Sequence, residues 1–253
     1  MNSKWLRCVY QKQNAKLRLI CFPWAGGGAA FYANWGKKFA SEVEVHSCLP
    51  GRESRFKESF IVDDWESFLS DFCEDVLEIL KGKPFAFWGH SLGARLCFEA
   101  AKYLKLYYNS QPVHLLISSA TAPQVAKITL DVSTQTDDDL IKKISSWGGT
   151  PKVLTESKDM MKIAARVLRA DLTLLQNYRF EESANGVVLD CPLTCFDGSD
   201  DLHDQDGWAE LTSGSFKRHV LPGGHFYFME GGNELSLTNH ISDALRLHYT
   251  PSP

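Results

Sequence analysis

Long apolar runs are missing from this chain. Its longest weakly polar stretch, 19–35, is broken by Pro23 and the glycines at 26, 27 and 28, which makes it a poor membrane span. The N-terminus shows neither an apolar core nor a small-residue cleavage site, so no secretory signal is visible. A basic excess is also missing. Lys and Arg number 27 against 31 Asp and Glu, a net of -4, where a nucleic-acid binder usually carries the opposite balance. The seven cysteines (8, 21, 48, 73, 97, 191 and 195) include no CxxC pair, so neither a zinc site nor a thioredoxin motif is indicated. Reduced core thiols in a cytoplasmic protein are the expectation. No repeat of fixed period appears, and 18 Gly with 10 Pro exclude collagen-like or low-complexity architecture.

What is present suits a folded α/β chain. With 44% hydrophobic and 23% charged residues, 253 residues can bury a full core. Short apolar runs at 17–22, 43–47, 85–88, 113–118, 193–196 and 217–221 read as strands, most of them apolar throughout, as strands covered on both faces are. Amphipathic stretches lie between them. In 64–80, Trp65, Phe68, Leu69, Phe72, Val76, Ile79 and Leu80 recur at three- and four-residue steps behind a capping Asp63 or Asp64. Helical patterns also cover 91–107 and the stretch from Leu237 to His248. This alternation predicts a mostly parallel sheet with helices on both faces. The rhythm breaks at 121–185, which holds helical stretches at 137–146 and 156–176 but no convincing strand. Its 65 residues exceed what an ordinary crossover needs, so a helical subdomain is expected there, inserted into a core made of 1–120 and 186–253.

Gly89-His90-Ser91-Leu92-Gly93 matches G-x-S-x-G. Chance produces that pattern in roughly one chain of this length in ten, so its context has to carry the argument. The context is a buried strand at 83–88 and a helix starting at once behind the serine. A sharp strand-to-helix turn exposes the serine hydroxyl and points helix N–H groups at a developing oxyanion. A serine nucleophile needs a base, and the base needs an orienting carboxylate; here both should follow the serine, acid before base. Of the eight histidines, His225 follows the 217–221 strand through Pro222-Gly223-Gly224, at the sheet end where sites in open α/β folds form. His219 falls inside a strand, and His240 and His248 on the last helix. Asp197, Asp200 and Asp201 compete for the acid. Asp197 suits strand termination, and sequence logic does not separate the other two. The glycine-rich loop 22–28 suits a second oxyanion donor, with the N–H of Ala25 (or Trp24) joining that of Leu92. It matches neither phosphate-loop pattern. Arg52 and Glu53 follow the 43–47 strand in a loop, where a buried ion pair is the default reading.

These residues carry a resemblance. LICFPWAGGG (19–28), LPGRESR (49–55), KPFAFWGHSLG (83–93), HLLISSA (114–120), WGGTPK (147–152), LRADL (168–172), LTCFDGSDD (193–201) and LPGGHFYF (221–228) resemble, in order and over almost the whole chain, the stand-alone type II thioesterases of the α/β-hydrolase superfamily. LPGRESR, GGTPK and LPGGHFY most resemble the medium-chain S-acyl fatty acid synthase thioesterases of animals. The resemblance implies an α/β-hydrolase fold with 121–185 as its helical lid. It implies Ser91 as nucleophile, His225 as base and Asp201 as acid, with Asp200 in reserve. It implies hydrolysis of acyl thioesters carried on the phosphopantetheine arm of an acyl carrier protein, with no metal or organic cofactor. Chain termination for a fatty acid synthase is the leading role; the alternatives are editing for polyketide or nonribosomal peptide synthetases, or an intracellular carboxylesterase. No nucleic acid or membrane partner is expected, and a monomer is the default. Apolar residues at 140–176 could line an acyl tunnel, although most suit an ordinary helical core. Eight cations against three carboxylates in 140–180, a net of +5, could steer an acidic carrier.

Overall fold

A computed structural model describes residues 3–48, 52–129, 131–146, 148, 157–182 and 188–249. All of WGGTPK but Gly148, and the LPG of LPGRESR, lie outside them. Seven strands form one sheet in the order β1-β3-β2-β4-β5-β6-β7. They are β1 (Leu6–Arg7), β2 (Leu17–Phe22), β3 (Val43–Cys48), β4 (Phe85–His90), β5 (His114–Ser118), β6 (Leu193–Gly198) and β7 (Phe216–Leu221). All neighbours run parallel except β1, which pairs antiparallel with β3. The six expected strands are all there. The two residues of β1 carry no periodic signal and were not expected.

Strands β2, β4, β5 and β6 are buried at every position, which is why they read as continuous apolar runs. Alternate side chains feed two cores. Ile20, Phe22, Phe87, Leu115 and Ile117 meet α2 (Trp65–Leu80) and α3 (Leu92–Tyr108) on one face. Leu19, Cys21, Trp88, Leu116 and Phe196 meet the short α1 (Ala29–Ala33) and the C-terminal α6 (Asn233–Arg246) on the other. Asp64 caps α2, accepting the Ser67 N–H at 2.9 Å. Edge strand β7 shows the half-exposed pattern its mixed sequence implies.

Between β5 and β6 the described residues form helices α4 (Asp137–Ser146) and α5 (Lys158–Gln176), packed on one another, and no strand. Leu140 and Ile144 of α4 join Leu168, Leu172 and Leu174 of α5 in the α3-side core. The parallel register brings the carboxyl ends of β2, β4, β5, β6 and β7 to one edge. Phe22 aligns with Gly89, His90 with Ser118, and Gly198 with Leu221. The loops leaving that edge build the site. No described helix is long and apolar enough to cross a membrane.

Candidate active site

Ser91 sits between the last residue of β4 and the first of α3, with φ 57° and ψ -116°. A positive φ on a non-glycine residue costs about 1–3 kcal/mol and persists only where surroundings impose it. Here they do. The Ser91 N–H donates to the Ser118 carbonyl at 2.9 Å. The turn is so tight that a Cβ on Gly89 would lie 2.1 Å from the Gly93 carbonyl oxygen, and one on Gly93 2.2 Å from that of Phe22. Both glycines of the pattern are therefore steric requirements.

The loops after β6 and β7 are laced together. A Cβ on Gly198 would lie 2.3 Å from the Gly224 carbonyl oxygen, so glycine there lets the two loops touch. Ser199 N–H donates to Leu221 O at 2.8 Å and Asp200 N–H to Gly223 O at 2.9 Å. This lacing separates the aspartates. The Asp201 Oδ2 accepts from His225 Nδ1 at 2.5 Å, and that bond holds the Asp201 carboxyl below its ordinary range. Asp200 is exposed and accepts instead from the Ser199 hydroxyl at 2.8 Å. Asp197 is fully buried in β6 and accepts from His203, from its N–H at 2.7 Å and its Nδ1 at 2.9 Å. Burial alone would pull the His203 imidazole down, but the bond and charge of Asp197, with the charge of Asp201, push it up.

Ser91, Leu92, Ala25, Asp201 and His225 all line one cavity of about 410 Å³. A second cavity, about 670 Å³, meets it at Trp24, Ala25 and Ile144 and is walled by Met160, Met161, Ile163, Val167 and Leu168 of α5. The apolar residues of the insert thus divide: Leu140 and Leu174 are core, while the methionines and Ile163 face the cavity.

The loop after β2 is held from above. Asp171 of α5 accepts the Gly26 N–H at 2.7 Å and pairs with Arg52 through bonds of 2.5 and 2.8 Å, while Arg52 also donates to the Gly27 carbonyl. Both side chains are buried. With Gly26 N–H on Asp171 and Gly27 N–H on the Trp24 carbonyl at 2.9 Å, those two groups are committed. The expected ion pair at this loop therefore exists, but its acid comes from α5. Glu53 accepts instead from the Ala30 N–H at 3.1 Å.

Three features escaped the sequence reading. His90 is buried behind the site, bonded through Nδ1 to Ser118 Oγ at 2.9 Å, and its ring lies 4.9 Å from that of His225. Burial pushes its imidazole well below the ordinary range. The Asp197–His203 pair and Asp171 are the others. LRADL and LPGRESR held the signal for Asp171, but partners 119 residues apart leave no spacing to read. Of the basic face, Arg169 is bound to Asp137 and two backbone carbonyls, and Arg166 lies over Phe56 and Phe60. These cations have local structural partners. Among the described residues, two groups of donor atoms lie within 4.8 Å of one another, Cys8 with Glu44 and His46, and Asp201 with His203 and His225; in each, the side chains are already hydrogen-bonded within the group or to neighbours.

A parallel sheet with a serine on a strained strand-to-helix turn, and a bonded Asp–His pair across the same cavity, defines the α/β-hydrolase class. Within it, the thioesterase-domain family model matches residues 17–245, and the chain belongs to that family. It is 38% identical to the medium-chain S-acyl fatty acid synthase thioesterase of Rattus norvegicus, over 97% of this chain and 94% of that one. It is 34% identical to the gramicidin S biosynthesis protein GrsT of Aneurinibacillus migulanus, over 92% and 91%. Among solved structures, the type II thioesterase BorB of the borrelidin biosynthetic cluster superposes with a TM-score of 0.84 at 27% identity, over 97% of this chain and all of that one. Human thioesterase 2 gives 0.71 at 28%, over 94% and 100%.

Proposed function

We propose that this protein is a serine thioesterase that releases acyl groups from the phosphopantetheine arm of an acyl carrier protein, freeing medium-chain fatty acids from a fatty acid synthase. The observation that carries the catalytic reading is the 2.5 Å bond from His225 Nδ1 to Asp201 in the cavity lined by Ser91. A carboxylate only accepts, so Nδ1 bears the proton and Nε2 is left as the base. His225 takes the Ser91 proton as Oγ attacks the thioester carbonyl carbon. The oxyanion is held by the N–H groups of Leu92 and Ala25, the latter in a loop pinned by Asp171 and Arg52. The C–S bond breaks, and the departing sulfur takes the proton from His225. Water then gives a proton to His225 as its oxygen attacks the acyl carbon, and His225 passes that proton to Oγ as the acyl–Oγ bond breaks, freeing the acid and Ser91. Asp201 holds the imidazole and stabilises its charged form. A thioester is already activated, so no step calls for a metal or organic cofactor. Helices α4 and α5 act as the lid, the acyl chain fills the apolar cavity, and the protein works as a cytoplasmic monomer.

The second reading is editing for a peptide or polyketide synthetase, favoured by the 34% identity to GrsT. Hydrolysis of acyl thioesters from C2 to C18, beside matched oxygen esters and with Ser91→Ala as control, separates the readings. The proposal expects Ser91-dependent turnover peaking at medium chain. A slow, flat profile favouring short acyl groups selects editing, and oxygen-ester activity without thioester turnover overturns both.

A further inference from the structure

The two cavities that meet at Trp24, Ala25 and Ile144 differ in chemistry, and so do the two halves of a carrier-bound thioester. The larger is walled by methionine, isoleucine and leucine, and its one cation, Arg52, is locked to Asp171. The smaller contains Ser91 and carries Ser119, Thr121 and Thr129 with the cations Arg95, Lys127 and Lys143. Its one lining carboxylate, Asp201, is engaged by His225. Among the described residues, neither the Lys127 nor the Lys143 ammonium has a carboxylate partner. The two lysines come from separate segments, the loop after β5 and helix α4, yet both line this cavity.

Arg95 is the independent observation. It stands one turn beyond Ser91 on α3, is 5% exposed and donates one nitrogen to the Thr121 carbonyl at 2.5 Å. Its other terminal nitrogen is buried with no hydrogen-bond partner among the described residues. The guanidinium faces the rings of Tyr178 and Trp208, 5.5 and 5.6 Å from their centroids, which cannot accept such a bond in full. A buried donor without an acceptor is costly, and a site that receives an acceptor from its ligand accounts for it.

We propose that the smaller cavity is the passage for the phosphopantetheine arm, with Lys127 and Lys143 holding the phosphate and the unpartnered nitrogen of Arg95 meeting an amide carbonyl. This rests on the thioesterase reading and assigns its polar subsite. The arm offers two amides, a hydroxyl and a phosphate. Lysine serves phosphate as a point charge, and guanidinium serves a planar acceptor. The same phosphate chemistry occurs on a carrier protein and on coenzyme A.

The test places one acyl group on N-acetylcysteamine, pantetheine, 4′-phosphopantetheine, coenzyme A and a carrier protein. Lys127→Ala/Lys143→Ala should raise KM about tenfold for the three phosphate-bearing thioesters and leave the first two within twofold, with kcat unchanged. A rise for the carrier-borne substrate alone would mean that the lysines touch the carrier surface and would overturn the phosphate assignment. An equal rise for all five, or none, would overturn it too. Arg95→Met should raise KM for pantetheine and phosphopantetheine thioesters alike. Because that variant removes a buried cation, its melting temperature is read beside it, and the lysine variants stand without it. Binding of free 4′-phosphopantetheine to Ser91→Ala protein, weakened by the lysine changes, tests the subsite apart from turnover. If binding behaves so while no thioester is hydrolysed, the subsite stands and the enzymatic reading has failed.

Discussion

At the scale of single residues, two kinds of constraint meet around Ser91, steric and electrostatic. Gly93 is steric: a methyl group there would press on the Phe22 carbonyl oxygen at 2.2 Å, and backbone cannot step aside as a side chain can. Gly93→Ala should cost about 2–4 kcal/mol of stability and lower labelling of Ser91 by a phosphonate probe. An unchanged melting temperature with full labelling would refute the tight-turn argument. The aspartates are electrostatic. Asp201→Asn should lower kcat about 10³–10⁴-fold, because an amide cannot hold the imidazole as a carboxylate does. Asp200→Asn should stay within threefold, since its carboxylate faces Ser199. Reversal of that order in steady-state assays would move the acid to Asp200. The glycines and the serine were legible in the sequence as a spaced motif. The choice between two adjacent aspartates came only from the family resemblance, which pointed to Asp201; spacing alone does not make it, because a one-residue difference in a loop changes direction without changing pattern.

Elements carry the next layer. Helix α5 is more than a cover, because Asp171 on its buried side takes the Gly26 N–H and the Arg52 guanidinium together. Breaking a buried pair on one side leaves a charge uncompensated, at a cost of about 3–5 kcal/mol. Asp171→Ala should therefore lower the melting temperature. It should also reduce kcat about 10–100-fold with a smaller change in KM, because a loosened loop no longer presents its N–H to the oxyanion. Asp171→Asn, which keeps an acceptor for Gly26, should recover part of kcat. Loss confined to KM would mean that the clasp shapes the substrate pocket alone. The helices themselves were readable from three- and four-residue spacing, α4 to the residue and α5 to within two. Their docking was not readable, since periodicity shows which face is apolar and not what it meets.

For the whole molecule, the buried and half-buried histidines set a direction for acid sensitivity. Burial lowers His46, His90, His114, His219 and His248, with His114 down to about 4. A histidine lowered on folding binds fewer protons folded than unfolded once the pH falls below the unfolded value, near 6.5, so stability declines from there downward. His203, raised by Asp197, has the opposite sign. Its contribution is full below about 6.5 and is lost as pH rises through its folded value. Five groups outweigh one, and the lowered carboxyl of Asp201 adds loss at lower pH still. Denaturant melts at pH 7.5 and 5.5 should show lower stability at 5.5, and equal or greater stability there would contradict it. His203→Gln should deepen that decline.

Local chemistry settled much of this in advance. Strand runs buried on both faces, helical spacing, a glycine-flanked serine and a histidine behind a Pro-Gly-Gly turn are all short-range patterns, and each held its place in the fold. The two-residue β1 and the five-residue α1 fell below the length at which a pattern can show. The tertiary structure alone decided the rest. The acid that pairs with Arg52 and the split of the insert's apolar residues between core and cavity depend on contacts between residues far apart in the chain. Such contacts are fixed when helices dock on the sheet edge and loops close over it. No spacing along the chain encodes that geometry.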